Sequence, residues 1–326
     1  MDTSSKTILD AIGGTPLVEL QRVVPAGSAR VVAKMESANP TGSMKDRMAK
    51  AAIEFAEADG RLVQGGTVVE YTAGTTGVSL AFVCAARGYD LEIVYSDAFS
   101  EEKRRTMQAF GARLTDVQSD GKKITSDLVR SMIRAAGEIS ARPNHWYCDQ
   151  LNNRSIVDGY IPLGDELWSQ TGGKLDAFVH SVSTAHSIHG VTKALRKHAN
   201  HIRTFAVEPA ESAVLSGKPT GSHKIEGIGI GFIPPLWQPS LVNEIHTVST
   251  DEAKAMARRL AREEGIFAGT SSAANVVAAL RVAEQLGSGA TVATLIVDSG
   301  LRYLSTDVFA IADRGCETSS MSATGR

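Results

Sequence analysis

Short apolar runs rich in β-branched residues alternate with segments of helical periodicity along most of this 326-residue chain. The first half predicts a turn at 13–17 that leads into a short strand, further strands at 31–35, 67–71, 91–95 and 113–117, and helices at 45–57, 78–86, 101–110 and 126–139. The second half predicts strands at 177–180, 204–207 and 293–297. It also predicts one helix that follows the first of these strands and ends at about 197, and two more helices at 251–264 and 272–286. Such an alternation predicts an α/β fold with two open twisted sheets and helices on both faces, and a ligand cleft between the two halves.

Charge and cysteine usage narrow the functional classes. The 34 basic and 36 acidic residues nearly cancel, so we expect neither nucleic acid nor an anionic membrane as partner. There is no apolar run of bilayer length and no secretory signal at the start of the sequence. The three cysteines lack metal-ligand spacing and indicate no disulfide framework, and the histidines form no ligand motif. These features predict a cytoplasmic protein without a metal site.

Residues 39–47 (NPTGSMKDR) form the most informative stretch. Pro40 and Gly42 indicate a turn, and Ser43 is a candidate N-cap for a helix in which Met44, Met48, Ala52 and Phe55 recur at helical spacing. Lys45 then lies in the first helical turn, where the partial positive charge of the helix favours a neutral amine. A neutral lysine is a nucleophile, although an ordinary surface lysine is the alternative.

Two further loops follow predicted strands, where ligands of open α/β sheets bind. Residues 72–77 (TAGTTG) combine small residues and hydroxyls at a predicted helix N-terminus, which favours binding of a carboxylate or phosphate. A tight turn with helix caps would have the same composition. Residues 183–187 (STAHS) are rich in hydroxyls but lack glycine, so a phosphate site and a plain loop both remain open.

A third feature, residues 297–300 (VDSG), follows the last predicted strand. The Ser299 hydroxyl could reach the same cleft, or it could cap a turn. The Gly- and Pro-rich segment 217–237 is longer than a simple connection needs and is a candidate functional loop.

Together these stretches resemble the pyridoxal-phosphate enzymes of the cysteine synthase and cystathionine β-synthase group, of fold type II (tryptophan synthase β-like). The motif at 39–47 is similar to the cofactor-lysine motif, and 72–77 to the substrate-carboxylate loop. Residues 227–234 (GIGIGFIP) resemble the glycine-rich loop of the cleft, and 298–306 (DSGLRYLST) the segment carrying the pyridine-nitrogen partner. The resemblance covers nearly the whole chain.

The resemblance implies a role for each matched residue. Lys45 would form the internal aldimine and move the Cα proton, and Ser299 would meet the pyridine nitrogen, with Asp298 as a rival. The remaining cofactor contacts would come from Thr75, Ser183, Thr184, Ala185, His186, Ser187 and Gly227. The substrate would be bound by Thr72, Ala73, Gly74, Thr76 and Gln150. The implied domains are a smaller, mobile one at 35–149 (with 1–12), a larger cofactor-holding one at 150–315 (with 13–34), and a flexible tail at 316–326.

This chain departs from the family pattern at two loops. Thr75 replaces the usual Asn beside the cofactor hydroxyl, and Ala73 replaces a usual Ser. The phosphate loop has lost all three glycines of the usual Gly-Thr-Gly-Gly-Thr run. A side chain at a position that needs positive φ costs stability. His186 could give the phosphate a cationic partner, or it could fill the space that the phosphate needs.

The implied reaction is pyridoxal-phosphate-dependent β-replacement on an activated L-serine through an aminoacrylate, with O-acetylserine and sulfide as the default substrates. A neutral hydroxyl at the pyridine nitrogen would suit this chemistry. A β-eliminating lyase or dehydratase on the same fold is one alternative. A catalytically impaired member that acts as a binding partner is another. The resemblance also implies a homodimer.

Overall fold

The computed structural model describes residues 6–121 and 125–310. Ten strands and eight helices are found there: β1 Leu17–Glu19, β2 Arg30–Met35, α1 Lys45–Ala58, β3 Thr67–Tyr71, α2 Thr75–Arg87, β4 Asp90–Ser96, α3 Glu101–Ala109, β5 Arg113–Val117, α4 Ser126–Ser140, β6 His145–Tyr147, α5 Ile161–Gln170, β7 Ala177–Ser181, α6 His186–His198, β8 Arg203–Pro209, β9 Glu244–Val248, α7 Thr250–Arg259, α8 Thr270–Leu286 and β10 Thr291–Ile296. The tail predicted at 316–326 lies outside the described residues.

The strands form two sheets, as the alternation of elements predicts. One has six strands in the order β1-β2-β10-β7-β8-β9, and the other has four in the order β5-β4-β3-β6. All neighbours are parallel except β1, which pairs antiparallel with β2. The fold is therefore α/β with two sheets, and helices such as α2 and α6 follow strands β3 and β7 directly. The division into a smaller and a larger domain, and the mobility of the smaller one, stay predictions.

The core explains why each sheet needs its helices. Strands β7 and β10 are buried along their whole length, so both faces of the larger sheet are covered. Met44, just before α1, and Met48 and Ala52 within it are buried in the core, whereas Phe55, predicted on the same face, is about one-third exposed. No helix within the described ranges is long and apolar enough to cross a membrane.

Three elements were not predicted, and one helix begins earlier than expected. Strands β6 and β9 and helix α5 carry no strong periodic signal. Helix α2 begins at Thr75 rather than Val78, because Gly74 at φ 133° ends the preceding turn and leaves Thr75 in the first helical turn. This shift places more backbone N–H groups at the predicted anion-binding loop.

Candidate active site

Lys45 is the first residue of α1 and is only partly exposed. Ser43 accepts a hydrogen bond at Oγ from the Lys45 N–H (3.2 Å), so its hydroxyl caps this end even though the regular helix begins two residues later. Burial lowers the pKa of the Lys45 amine to about 8, while the Asp298 carboxylate acts in the opposite direction. The pKa of this amine is thus shifted in the predicted direction, but the cause is desolvation rather than the helix N-terminus.

Two backbone contacts join the Lys45 loop to the segment after β10. The Met44 N–H donates to the Val297 carbonyl (2.9 Å), and the Ser299 N–H donates to the Gly42 carbonyl (3.0 Å). These bonds position Asp298 close enough for its charge to act on Lys45. The start of α1 is therefore fixed against the carboxyl end of the central strand β10, where a ligand of an α/β sheet binds.

The first turn of α1 is held further by a buried ionic network. Arg47 donates from Nε to Glu36 Oε2 and from Nη1 to Glu166 Oε1, both at 2.7 Å. Lys34 reaches the same Glu166 carboxylate at 2.6 Å. Because Arg47 lies two residues after Lys45, this network restricts the backbone that carries the reactive amine.

Asp298 and Ser299 have different surroundings. Asp298 is buried and accepts a hydrogen bond at Oδ2 from the Tyr303 hydroxyl (2.6 Å), and no described residue gives its Oδ1 a hydrogen-bond partner. Burial raises the pKa of this carboxyl. The Ser299 hydroxyl instead accepts from the Leu301 N–H (3.3 Å) in its own turn. The predicted contact of Ser299 with the pyridine nitrogen stays a prediction, and Asp298 has the unused acceptor.

The loop 72–77 combines a helix N-terminus with a fixed glutamine. The Thr76 hydroxyl donates to Gln150 Oε1 (2.8 Å), and Gln150 Nε2 donates to the Tyr71 carbonyl (3.1 Å). Glu70 accepts the Gln150 N–H at Oε2 (2.9 Å), and burial raises the pKa of this carboxyl to about 8. The structure thus brings together two predicted substrate residues, Thr76 and Gln150, which are far apart in sequence.

Thr72, Ala73 and Gly74 lie on the same loop. The Thr72 hydroxyl oxygen accepts the Gly74 N–H (2.9 Å), and Ala73 is exposed. A Cβ at Gly74 would lie 2.3 Å from Lys103 Cδ, so the close approach of Lys103 requires glycine here. Thr75 is partly buried at the first position of α2.

The loop 183–187 leads from β7 into α6. Ala185 adopts φ 71°, a left-handed conformation that glycine would adopt without strain. The His186 ring is buried, and its Nε2 lies 3.0 Å from the Asn153 carbonyl. Burial lowers the pKa of His186 to about 3, with the Lys45 charge acting in the same direction. Burial therefore favours the neutral ring, and a contact of His186 with a phosphate stays a prediction.

Ser183 is partly buried at the start of this loop, and the Gly229 N–H donates to the Val182 carbonyl (3.1 Å) just before it. This bond joins the glycine-rich segment to the predicted phosphate loop. Gly227 is exposed at φ 87°, and no described residue lies where a Cβ would point. Its predicted contact with a cofactor stays a prediction.

Several neighbours of the site were missed from sequence. Lys103 in α3 pairs with Glu226 beside the glycine-rich segment, and its ammonium lies 5.4 Å from the centre of the Tyr303 ring. The Thr270 hydroxyl accepts the Glu226 N–H (3.2 Å) at the start of α8. A glycine followed by Thr and Ser opens α8, and this pattern could have identified a further hydroxyl-rich helix start.

The family model that matches this chain is that of the pyridoxal-phosphate dependent enzymes, over residues 8–298. A cysteine synthase of Staphylococcus aureus is 41% identical over 308 residues, which are 94% of this chain and 97% of that protein.

Two solved structures have a similar overall fold. A cysteine synthase from Entamoeba histolytica has a TM-score of 0.88 at 36% identity, over 96% of this chain and 93% of that one. An O-acetylserine dependent cystathionine β-synthase from Helicobacter pylori has a TM-score of 0.87 at 32% identity, over 94% of this chain and 99% of that one.

Proposed function

Because this chain belongs to the family of pyridoxal-phosphate dependent enzymes, we propose that it catalyses β-replacement on an activated L-serine, with O-acetyl-L-serine and sulfide as substrates and L-cysteine as product. The observation that carries the proposal is Lys45. It is a partly buried lysine whose amine has a pKa of about 8, at the carboxyl ends of the sheet strands and opposite an acidic group.

The residues present fit the cofactor. The cofactor aldehyde reacts with a neutral amine, and Lys45 can provide that amine. The start of α6, with Ser187 in its first turn, offers hydrogen-bond donors to a phosphate. The unused Oδ1 of Asp298 offers an acceptor for a protonated ring nitrogen, with Ser299 as the other candidate. When bound, pyridoxal phosphate supplies an electron sink for the electron pair released from the amino-acid Cα.

Lys45 acts as the general base on the Cα proton. A group that is neutral in an appreciable fraction at working pH can accept this proton, and an amine of pKa about 8 meets this condition far better than an ordinary lysine. The network around Arg47 keeps the helix start, and with it the backbone of Lys45, in place while the proton moves.

The substrate carboxylate binds at loop 72–77. The first N–H groups of α2 have no carbonyl partners within the helix, and the helix dipole favours an anion there. Gln150 is oriented by Thr76 and Tyr71, so one Nε2 hydrogen remains for the carboxylate. A carboxylate held there lies at the start of α2, the helix that packs against α1, whose first residue is Lys45.

The test is product analysis after adding O-acetyl-L-serine and sulfide to protein loaded with pyridoxal phosphate. We expect L-cysteine and acetate in equal amounts, and no turnover by Lys45→Ala. Pyruvate and ammonia as main products in the presence of sulfide would indicate a β-eliminating lyase and contradict the proposal. L-homocysteine in place of sulfide tests the second nucleophile, because the Helicobacter pylori protein of similar structure is an O-acetylserine dependent cystathionine β-synthase. A homodimer and a cytoplasmic setting remain part of the proposal.

A further inference from the structure

Three residues from three elements form a buried hydrogen-bond relay below the loop 183–187. Asn275 of α8 contacts His180 of β7, with its Nδ2 3.3 Å from His180 Nδ1. His180 Nε2 lies 2.8 Å from the hydroxyl oxygen of Ser187, in the first turn of α6. His180 is 2% exposed and Asn275 is fully buried, so the relay is shielded from water.

The directions of these hydrogen bonds follow from backbone groups at one end. The Ser181 N–H donates to Asn275 Oδ1 (2.8 Å), and Asn275 Nδ2 donates to the Leu295 carbonyl (3.0 Å). The amide is therefore oriented, and its second Nδ2 hydrogen points to His180 Nδ1, which must accept. The neutral ring then carries its hydrogen on Nε2 and donates to Ser187. The Ser187 hydroxyl hydrogen remains available, since no described residue accepts it.

The Thr184 hydroxyl of the same loop acts as a donor within the protein. The Asn153 carbonyl can only accept, so His186 Nε2 carries the hydrogen and its Nδ1 accepts. The Thr184 hydroxyl, 2.8 Å from that Nδ1, is the donor. Thr184 therefore donates to its own loop and offers an incoming anion only lone pairs, whereas Ser187 offers a hydrogen.

We propose that His180 is a positioning residue for the cofactor phosphate, which acts by turning the Ser187 hydroxyl hydrogen toward the phosphate. The Ser187 hydroxyl would then supply one of the hydrogen-bond donors to the phosphate, in a loop that has no glycine. A hydrogen bond from an oriented hydroxyl to a charged phosphate is among the stronger ones in proteins. The inference rests on the proposed function, because it assumes that pyridoxal phosphate binds with its phosphate at this loop.

The test compares the affinity of the apo-protein for pyridoxal phosphate and for pyridoxal, which lacks the phosphate. We expect His180→Leu and Ser187→Ala to weaken pyridoxal phosphate binding about tenfold and to change pyridoxal binding less than about twofold. His180→Gln keeps a donor near the Nε2 position and should recover most of the affinity. His189→Leu removes another buried histidine, one that stacks on Trp237, and should weaken neither ligand selectively.

The outcomes separate the two proposals. Equal loss of both ligands in His180→Leu, or an unchanged ratio in Ser187→Ala, would overturn the relay while leaving the proposed function intact. If His180→Leu does not fold, Ser187→Ala and His180→Gln decide in the same way. If the unmodified chain bound neither ligand, both the proposed function and the relay would be wrong.

Discussion

The ammonium nitrogen of Lys103 lies 2.7 Å from a carboxylate oxygen of Glu226, and this ion pair joins α3 to the residue that precedes the glycine-rich stretch 227–234. The Lys103 side chain is 6% exposed and that of Glu226 is 42% exposed. The lysine stem packs on Gly74 of the predicted substrate loop. The pair therefore connects a helix flanking the four-stranded sheet to a segment beside the six-stranded sheet, above Tyr303 and Asp298.

We expect Glu226→Gln to weaken closure of the cleft over bound substrate. The KM for O-acetyl-L-serine should rise about threefold, since a partly exposed ion pair contributes little more than this, and the ratio of pyruvate to cysteine should rise because water enters more easily. Steady-state assays with both products measured give this result. The control is Glu101→Gln, which removes a carboxylate from α3, the helix that carries Lys103. Glu101 forms an exposed ion pair with Arg105. An unchanged product ratio in Glu226→Gln would contradict the sealing role.

The lowered pKa of Lys45 predicts the pH dependence of cofactor binding. Only the neutral amine attacks an aldehyde, and with a pKa of about 8 roughly a tenth of it is neutral at pH 7. The rate constant for pyridoxal phosphate attachment should therefore rise with pH and level off above about 8. Stopped-flow absorbance over a pH series measures it.

Asp298→Asn provides the matched variant for this pH profile. The Asp298 charge raises the pKa of Lys45, so its removal should move the inflection to lower pH. The Tyr303 hydroxyl can still donate to the amide oxygen of the variant, so we expect the local structure to be retained. A shift to higher pH in the variant would contradict this effect of the Asp298 charge. An inflection near the ordinary lysine value in the unmodified protein would show that burial does not control this amine.

Thr76→Val tests the orientation of Gln150. Without the Thr76 hydroxyl, Gln150 Oε1 loses its donor and the amide can turn away from the substrate carboxylate. We expect the KM for the amino acid to rise about tenfold with little change in kcat, because the contact is present in both ground and transition states. Thr106→Val is the control, since among the described residues the Thr106 hydroxyl bonds only to the Glu102 carbonyl of its own helix. Equal KM values in both variants would contradict a role for Gln150 in binding the substrate.

Ala185→Gly should stabilise the protein. Ala185 holds φ 71°, where a Cβ costs about 1 kcal/mol, and glycine removes that cost at the expense of some entropy in the unfolded chain. We expect a net gain of about 0.5 kcal/mol in the free energy of unfolding, measured by denaturant titration. Ala255→Gly, at an exposed position within α7, should instead lose about 1 kcal/mol. A loss at both positions would mean that the left-handed conformation of Ala185 is not strained.

The elements that were predicted from sequence are those whose signal is local. The strand at 67–71 and the helix beginning at Lys45 are defined by their own residues and their flanking turns. Helix α5 was missed because its signal depends on packing. Gly164 lies in its interior, where a Cβ would meet Ala194 of α6 at 2.6 Å, so the residue that fits the helix pair weakens the helical pattern. Strand β6 has only three residues, too few for a pattern.

The candidate site divides in the same way. Lys45 and the loops 72–77 and 183–187 were found because each has its chemistry in one short stretch. The Lys103–Glu226 pair joins residues 123 positions apart, and Asn275 is 95 positions from His180, so only the fold brings them together. The lowered pKa of His186 comes from burial and from the Lys45 charge, neither of which its neighbours in sequence reveal.

The central claim is that Lys45 holds the cofactor, and the most direct measurement is borohydride reduction of protein incubated with pyridoxal phosphate, followed by peptide mass spectrometry. We predict a visible absorbance band that disappears on reduction, and a pyridoxyl group on the peptide that contains Lys45. Lys45→Ala should show neither the band nor the label. A label on a different lysine, such as the nearby Lys103, or a protein that never acquires the band, would contradict the account.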